Sequence, residues 1–414
     1  MNTPASTREH VNQRLMSRLA LPQVPRRTGL EGLEGLEVSE FTAQLALPQP
    51  VMKIDERVAA AESVLYKRAV AIAGVDREMV AKLVREGESC LRKLDSEGAS
   101  ARLTQTEMLG LEAVVETDGS RPVLMVQDGS IDLDAPDLNT ALGLPWRHAA
   151  RERLQGIRRV VASVGVVQLP NFENMRIGTG FAVAPGIILT NRHVLEAIAR
   201  FQDGKWSWKY KAQVDFSAEF ERSGTNCFDL DAVLMAGPNS IDGQVNFANL
   251  DVALIRLRPE MQDFPPALRL GETADAVKVG PARTPSVYVV GFPAKPSILT
   301  RGDSGAAPPA AGTEFGDIVT RLFKGEFGVK RWAPGFVEAG AGQLFDDARS
   351  WVMSHDASTL GGNSGSCVVD FSGNNALVVG LHFGGRPRVE NWAHVLATLR
   401  AEFGAFELQW SNEY

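Results

Sequence analysis

The sequence predicts a mainly β protein that carries a small, mainly α-helical domain ahead of its main domain. From Ile157 onward, short β-branched runs are separated by glycine and proline, a texture typical of an all-β sandwich or barrel. Between residues 53 and 116, apolar residues instead recur at helical spacing. The chain has 414 residues, which is enough for two or three domains with ample core.

Composition excludes several classes of protein. Apolar residues make up 44% and charged residues 22% of the chain, as in ordinary folded domains. The net charge is −7 without a long basic run, so neither nucleic acid nor an anionic membrane is an expected partner. Residues 1–21 carry three arginines and no apolar block, which is unlike a secretory signal. The widely spaced Cys90, Cys227 and Cys367 form neither a disulfide framework nor a metal-ligand pattern, so we expect a reduced, cytoplasmic protein with buried thiols.

The N-terminal third divides into two parts. Residues 1–52 are predicted to be a flexible segment or linker, because prolines interrupt any helix and Gly-Leu-Glu repeats three times from Gly29. Residues 53–150 are predicted to be a helical module with a connector. Its first helix begins near Lys53, its second ends near Gly98, and its third begins at Thr104, where Glu107 completes a capping box. A regulatory or partner-binding role and a packing layer against the main domain are equally compatible with this pattern.

The connector and the main domain, residues 151–414, contain the predicted strands. A short strand over residues 122–127 ends at an Asp-Gly turn, and an extended segment follows to His148. In the main domain the strongest predicted strands are Val160–Gln168, Gly180–Ala184, Ile187–Thr190, Val252–Leu257, Val287–Gly291 and Val378–His382. Residues 295–316, rich in glycine and proline, are predicted to be an exposed loop. Apolar residues on one face of residues 391–403 predict a C-terminal helix that covers one end of the barrel.

A glycine-rich stretch near the C-terminal end, residues 358–366, contains a candidate nucleophile. Gly361 and Gly362 precede Ser364, so backbone N–H groups can turn inward where an acyl-transfer intermediate would develop negative charge. Taken alone, the stretch has the composition of a plain turn. Upstream, His193 follows an apolar strand in Thr-Asn-x-His, and Asp251 precedes another apolar strand. A histidine held in this way suits a general base, and a partly buried carboxylate suits the group that orients it.

The order His, Asp, Ser separates this pattern from other serine hydrolases. An α/β-hydrolase needs Gly-x-Ser-x-Gly followed by an acid and then a histidine, whereas position 366 is serine and both other groups lie upstream. From about Ser163 to about Phe403, the chain resembles trypsin-like, chymotrypsin-fold serine endopeptidases, in particular the bacterial glutamyl-endopeptidase-like branch. The matching blocks are Gly178-Thr179-Gly180-Phe181 with Thr190-Asn191-x-His193-Val194, then Asp251-Val252-Ala253-Leu254, then Ser358-Thr359-x-Gly361-Gly362-Asn363-Ser364-Gly365-Ser366.

The resemblance implies two six-stranded β-barrels with the catalytic triad in the cleft between them. His193 and Asp251 would belong to the first barrel and Ser364 to the second. The backbone N–H groups of Gly362 and Ser364 would form the oxyanion hole. The implied reaction hydrolyses a protein or peptide substrate through an acyl-enzyme, without a metal or cofactor. The alternative is a catalytically silent protease-fold protein that serves as a binding or scaffold module.

A fourth block bears on specificity. His382 lies in the strand Val378-Val379-Gly380-Leu381-His382-Phe383-Gly384-Gly385, and Thr359 precedes the Gly-Gly-Asn-Ser block. The resemblance places both in the pocket for the residue before the scissile bond and implies a preference for Glu, and less for Asp or Gln. The neighbouring His355 and Asp356 are expected in the pocket wall or at the surface. No obvious Arg/Lys–Ile-Val-Gly-Gly activation site occurs, so either the protease folds active without processing or cleavage around Arg147–Arg159 activates it. Because an unrestrained cytoplasmic endopeptidase would damage its host, we expect residues 53–150, with a regulatory protein partner, to control the enzyme.

Overall fold

The structure is a computed structural model of the chain. It describes residues 9, 11–13, 15–16, 19, 52–70, 77–241, 245–281, 283–293, 328–359, 363–373, 375–386 and 390–412. Over these residues, two closed six-stranded antiparallel barrels follow a group of helices, which confirms the predicted mainly β fold. Each helix in the described ranges is too short or too polar to cross a lipid bilayer.

Between residues 52 and 117, the described part of the chain forms three helices. They are α1 (Ile54–Val70), α2 (Arg77–Glu97) and α3 (Gln105–Thr117). The predicted capping box at the start of α3 is confirmed, since Thr104 accepts from the backbone N–H of Glu107 and the Glu107 carboxylate accepts from that of Thr104. Helices α2 and α3 cross closely at Gly87 and Gly110, where a Cβ on Gly110 would lie 2.3 Å from the backbone nitrogen of Gly87. The close crossing therefore requires glycine on both helices.

The N-terminal segment differs from its prediction where it is described. Residues 9, 11–13 and 15–16 are helical, and the side chains of Leu15, Met16 and Leu19 are buried among apolar residues of the three helices. Leu15, Met16 and Leu19 share one helical face, a short pattern that the prolines after residue 21 obscure in the sequence. The Gly-Leu-Glu repeat from Gly29 lies outside the described residues.

The connector joins the helices to the second barrel. Strands β1 (Leu124–Gln127) and β2 (Ser130–Ile131) form a hairpin whose turn has positive φ at Asp128 and Gly129, and β1 pairs with a strand of the second barrel. The predicted extended segment to His148 is wrong in part, because α4 (Leu144–Glu152) and α5 (Leu154–Ser163) follow. The run at Val160, predicted as strand, completes a buried helical face with Ile157.

The first barrel consists of short strands in the order β10-β5-β4-β3-β8-β9. A short helix and a separate hairpin interrupt it after β5. The elements in chain order are β3 (Val164–Leu169), β4 (Met175–Ala184), β5 (Ile187–Thr190), α6 (Arg192–Ile198), β6 (Ala199–Gln202), β7 (Lys205–Trp208), β8 (Gln213–Asp215), β9 (Cys227–Ala236) and β10 (Ala253–Leu257). Its interior is filled by β-branched and aromatic side chains such as Ile188, Val214 and Phe228.

The second barrel closes in the order β12-β15-β16-β17-β14-β13, since β12 and β13 also pair. Two short strands, β11 and β18, add to its outside. The elements are β11 (Leu270–Gly271), β12 (Ser286–Gly291), β13 (Arg331–Ala339), β14 (Val352–His355), β15 (Cys367–Asp370), β16 (Val378–Arg386), β17 (Glu390–Val395) and β18 (Trp410–Ser411). The 3₁₀ turns among the described residues are Gly98–Ser100, Pro136–Asn139, Pro170–Phe172, Ala274–Val277 and Leu396–Leu399.

The predicted C-terminal helix over residues 391–403 is wrong. Its first part is strand β17, and the only helical turn described there is the 3₁₀ turn Leu396–Leu399. The apolar residues of this segment fit both the helical period of 3.6 and the strand period of 2. Trp392 fits the apolar face of a helix, but in a strand it also lies on the opposite face from Ala393. Pairing with β14 and β16 on both sides decides for the strand. The predicted loop at residues 295–316 lies outside the described residues.

Burial of the three cysteines agrees only partly with the sequence prediction. Cys90 and Cys367 are buried, whereas Cys227 is half-buried. Burial raises the pKa of each thiol to about 12, so all three are protonated near neutral pH. Cys367 therefore serves as a small core residue of β15 rather than as a reactive thiol.

Candidate active site

His193 and Asp251 form a hydrogen-bonded pair in the first barrel. The Nδ1 atom of His193 lies 2.6 Å from Oδ2 of Asp251, and the backbone N–H of His193 donates to Oδ1 at 2.9 Å. The carboxylate therefore holds both the ring and the backbone of one residue, which fixes the orientation of the imidazole. With its Nδ1–H directed at the carboxylate, the ring carries its lone pair on Nε2. A pair in this state can accept a proton at Nε2 and stabilise the resulting imidazolium.

The pairing of β5 with β10 brings the two residues together. Thr190 at the end of β5 pairs with Ala253 at the start of β10, so the residues just beyond these ends meet. His193 lies in the first turn of α6 rather than at the strand end that the sequence predicted. Asn191 supports the arrangement, because its Nδ2 donates to the backbone carbonyl of Asp251 at 2.8 Å. The Asp251 side chain is 6% exposed and the His193 side chain 31%, which leaves one edge of the ring open to the cleft.

Ser364 reaches the same cleft from the second barrel. Its backbone carbonyl accepts from the N–H of Thr179 on β4 at 2.8 Å. A Cβ on Gly178 would lie 2.7 Å from Val194 and 3.1 Å from the Ser364 carbonyl oxygen, so β4 touches both the helix of His193 and the serine loop. Among the described contacts, the serine hydroxyl and the imidazole share no hydrogen bond. Such bonds often form only when substrate is bound.

The serine loop is pinned against the first barrel by Gly365. This residue has φ +87°, and a Cβ on it would lie 1.9 Å from the carbonyl oxygen of Thr179 and 2.7 Å from Oγ1 of Thr190. Only glycine fits both the backbone conformation and the close approach. The N–H of Gly365 donates to the carbonyl of His382 at 2.9 Å, which ties the loop to β16 as well. Gly361 and Gly362 lie outside the described residues, so the role of Gly362 in an oxyanion hole stays a prediction.

Thr359 is hydrogen-bonded to a residue that the sequence analysis missed, Asn391 on β17. The Asn391 Nδ2 group donates to the carbonyl of Ala357 at 2.8 Å, so its Oδ1 faces Thr359 and accepts the threonine hydroxyl. The hydroxyl proton of Thr359 is thereby committed within the protein. The sequence analysis did not predict a role for Asn391, because it placed the start of a helix at this residue. In the structure Asn391 instead lies on β17 and pairs with Gly385 of β16.

His382, on β16, is buried in the second barrel. It is 4% exposed, and its ring meets that of His355 at 5.5 Å between centroids. Its Nδ1 atom has no hydrogen-bond partner among the described residues. Burial, and then the neighbouring His355 and His193, hold the pKa of His382 well below its usual value of 6.5. Near neutral pH the ring is therefore an uncharged hydrogen-bonding group.

Asp356 and His355, expected in the pocket wall or at the surface, are both buried. Asp356 forms an ion pair with Arg121 of the connector: Arg121 Nε donates to Oδ1 at 2.8 Å, and its Nη2 binds Oδ2. The same carboxylate accepts from the N–H of Phe336 at 2.7 Å, and the guanidinium lies 4.8 Å from the Phe336 ring centroid. The segment before Ser358 is thus fastened to the chain that directly follows α3.

One further residue of the site, His394, was also missed. It lies on β17 and accepts a hydrogen bond from the backbone N–H of Asp251 at 3.1 Å. No local sequence signal indicated it, because the contact joins the two barrels across 143 positions of the chain.

Known proteins resemble this chain in sequence or in fold. Residues 178–381 match the family model of the trypsin-like peptidase domain. A probable serine protease of Lysobacter enzymogenes is 31% identical over 319 residues, which cover 73% of this chain and 77% of that protein. The active form of the Rv3671c protease of M. tuberculosis is 18% identical, with 63% of this chain and 87% of that chain covered and a TM-score of 0.35. Neuropsin, a serine protease expressed in the limbic system of mouse brain, is 12% identical, with 60% and 95% covered and a TM-score of 0.37.

Proposed function

Because this chain belongs to the trypsin-like serine peptidases and is a serine endopeptidase, we propose that Ser364, His193 and Asp251 are its catalytic triad. The observation that carries the proposal is the 2.6 Å contact between His193 Nδ1 and Asp251 Oδ2, with Ser364 held beside the helix of His193 through Gly178. This arrangement leaves the open edge of the imidazole facing the cleft that the serine enters.

The proposed reaction proceeds through an acyl-enzyme. Ser364 Oγ attacks the carbonyl carbon of the scissile peptide while His193 Nε2 takes its proton. Asp251 keeps the imidazole in the required tautomer and stabilises the imidazolium, which then protonates the leaving amine. Water, activated by the same imidazole, releases the acyl group and restores Ser364. We assign the stabilisation of the oxyanion to the backbone N–H groups of Gly362 and Ser364.

We further propose that the pocket for the residue before the scissile bond takes a polar side chain, Glu first, then Asp or Gln. Support comes from His382 Nδ1, which is buried without a hydrogen-bond partner among the described residues and can donate to a substrate oxygen. The proton of Thr359 goes to Asn391, so the threonine oxygen can add only an acceptor, which suits the amide of Gln. A buried polar atom without a partner costs about 1–3 kcal/mol, which a hydrogen-bonding substrate side chain would recover and an apolar one would not.

A peptide series that varies only the residue before the scissile bond tests this pocket. Glu, Asp and Gln peptides are expected to exceed Leu and Arg peptides in kcat/KM by at least about 100-fold. Since the pKa of His382 is held well below 6.5, the ring stays neutral and the ratio of kcat/KM for Glu over Gln peptides should stay constant between about pH 6 and 9. A preference for Arg, Lys or bulky apolar residues would remove the role of His382.

A matched pair of variants isolates the threonine. Thr359→Val keeps the shape but loses the hydroxyl bonded to Asn391, so it should weaken the polar preference, whereas Thr359→Ser should retain it. The exposed His148 serves as a control, because His148→Ala should change neither rate nor preference. Equal profiles for the valine and serine variants would exclude Thr359 from substrate choice.

We also propose that the helical module, with a regulatory protein partner, controls the peptidase through the connector. The support is the buried Arg121–Asp356 pair, whose side chains are 5% and 4% exposed, and the cavity that α3 shares with the pocket wall. Leu111 and Glu112 of α3 line that cavity together with Thr359 and Asn391. A shift of the module would therefore act on the segment that holds the substrate side chain.

Breaking this pair is expected to lower activity. Arg121→Gln leaves the Asp356 carboxylate buried without its cation, and such a loss costs about 3–5 kcal/mol. We expect kcat/KM and the rate of fluorophosphonate labelling to fall about tenfold or more. The exposed pair of Arg92 with Asp55 supplies the control, since Arg92→Gln should leave both rates unchanged.

A double variant separates lost stability from lost coupling. Arg121→Met with Asp356→Leu leaves no unpaired buried charge, so thermal stability should recover towards that of the wild type while activity stays low. Wild-type activity in the folded double variant would show that the pair does not couple the module to the site.

A further inference from the structure

The strand that carries His394 presents alternate residues to different surroundings. Ala393 and Val395 point into the interior of the second barrel. Trp392 meets the ring of Phe247, four residues before Asp251, with ring centroids 5.4 Å apart, so it faces the segment that leads to Asp251. Because side chains alternate along a strand, His394 lies on the same side as Trp392, towards the first barrel.

The His394 ring is held there by packing. The side chain of Phe383 stacks on it with ring centroids 4.5 Å apart, and Trp351 meets it edge-on at 5.8 Å. The residue is 1% exposed. A ring enclosed between two aromatic side chains has little rotational freedom, so its Nε2 is directed at a fixed point, the backbone N–H of Asp251 at 3.1 Å.

The protonation state of His394 suits an acceptor. Burial lowers the pKa of His394 to about 4, against the opposing effect of the Asp251 carboxylate, which is the charged group facing it. Near neutral pH the imidazole is neutral. Because Nε2 accepts the amide proton of Asp251, the ring proton lies on Nδ1.

Asp251 is consequently held from both barrels. In the first barrel, Asn191 donates to its carbonyl at 2.8 Å and His193 donates to its carboxylate. In the second, His394 accepts from its N–H at 3.1 Å. Asp251 is buried, so its N–H would lose its partner without His394. The barrel that carries Ser364 thereby also fixes the peptide plane of the residue that orients the base.

We propose that His394 is a positioning residue of the triad: by accepting the Asp251 N–H, it holds the carboxylate in the plane of the His193 ring. This assignment rests on the proposed roles of His193 and Asp251. His394 acts through Asp251 and touches neither the substrate nor the reacting atoms. Its loss should rotate the Asp251 peptide plane, weaken the contact between carboxylate and imidazole, and so lower the fraction of His193 in the productive tautomer.

Two substitutions of similar polarity distinguish the proposal from a purely structural role. In glutamine the side-chain oxygen reaches about as far as Nε2 of histidine, so His394→Gln can still accept from Asp251. In asparagine it reaches only as far as Nδ1, so His394→Asn cannot. We expect His394→Asn to lower kcat about 10- to 100-fold with little change in KM, and His394→Gln to recover most of that loss.

The pH profile supplies a second readout. A weakened Asp251 contact destabilises the protonated imidazole, so the acid limb of the pH profile of kcat/KM should move to lower pH in His394→Asn and return in His394→Gln. Thermal melting of both variants checks that the barrels remain folded. The proposal is overturned if the two folded variants share the wild-type acid limb and kcat, or if glutamine and asparagine lower kcat equally.

Failure of this proposal is distinguishable from failure of the triad assignment. If fluorophosphonate labels the wild type at Ser364 and the two His394 variants label at its rate, the triad stands and the positioning role falls. If the wild type itself is not labelled, the triad assignment falls, and with it this inference.

Discussion

Replacing Ser364 with alanine is expected to reduce kcat for peptide cleavage by about 10⁶-fold and to abolish covalent labelling by a fluorophosphonate probe. The substitution removes the oxygen that attacks the peptide carbonyl. It leaves the loop in place, because the described contacts of Ser364 run through its backbone carbonyl to Thr179. Binding and the remaining polar groups would leave a residual rate about 10³- to 10⁴-fold above that in water.

The control for this substitution is another serine. Ser207 lies exposed on β7, where its hydroxyl lies 3.5 Å from the carbonyl oxygen of Arg200, and Ser207→Ala should label and cleave as the wild type does. Wild-type labelling that persists in Ser364→Ala would place the nucleophile elsewhere. A wild-type protein that neither labels nor cleaves any peptide would instead favour the catalytically silent, binding form of the fold.

The second large effect is expected from Asp251→Asn, which should lower kcat about 10⁴-fold. The asparagine amide would donate to Nδ1 of His193 and drive the ring proton to Nε2, the atom that must accept the proton of Ser364. The backbone bonds of Asp251 to Asn191 and His394 do not involve the carboxylate, so the fold should be retained. Steady-state kinetics with the best peptide of the series measures the loss.

A surface carboxylate of the same barrel serves for comparison. Asp231 pairs with Arg256 at 3.0 Å, with side chains 35% and 54% exposed, and Asp231→Asn should keep the wild-type rate. A folded Asp251→Asn protein with kcat within tenfold of the wild type would show that Asp251 does not govern the tautomer of His193.

Much of the fold followed from local patterns. Strands such as Ile187–Thr190 are bounded by glycine or polar turn residues, and β-branched side chains repeat along them, so their existence was predictable. The capping box at Thr104 was equally local, because the two residues that form it are three apart. Predictions of this kind depend on contacts within a few residues of one another.

The errors arose where two periods fit the same residues. Residues 391–403 and the run at Val160 carry apolar side chains that suit either a strand or a helix face. Strand β17 formed because β14 and β16 offer hydrogen-bonding edges on both sides, whereas Val160 found a buried helical surface beside Ile157. Because those neighbours are distant in sequence, the local pattern of residues could not predict which of the two structures forms.

The candidate site divides along the same line. The sequence alone indicated Ser364, His193 and Asp251 as the nucleophile, the base and the group that orients it, because each stands in a short motif whose residue types carry its chemistry. Only the tertiary structure decided that Arg121 binds Asp356 in the segment before the nucleophile and that His394 accepts a hydrogen bond from Asp251. These contacts span 235 and 143 positions of the chain. Positioning groups need only the right atom at the right point in space, and any part of the chain can supply it once the barrels have closed.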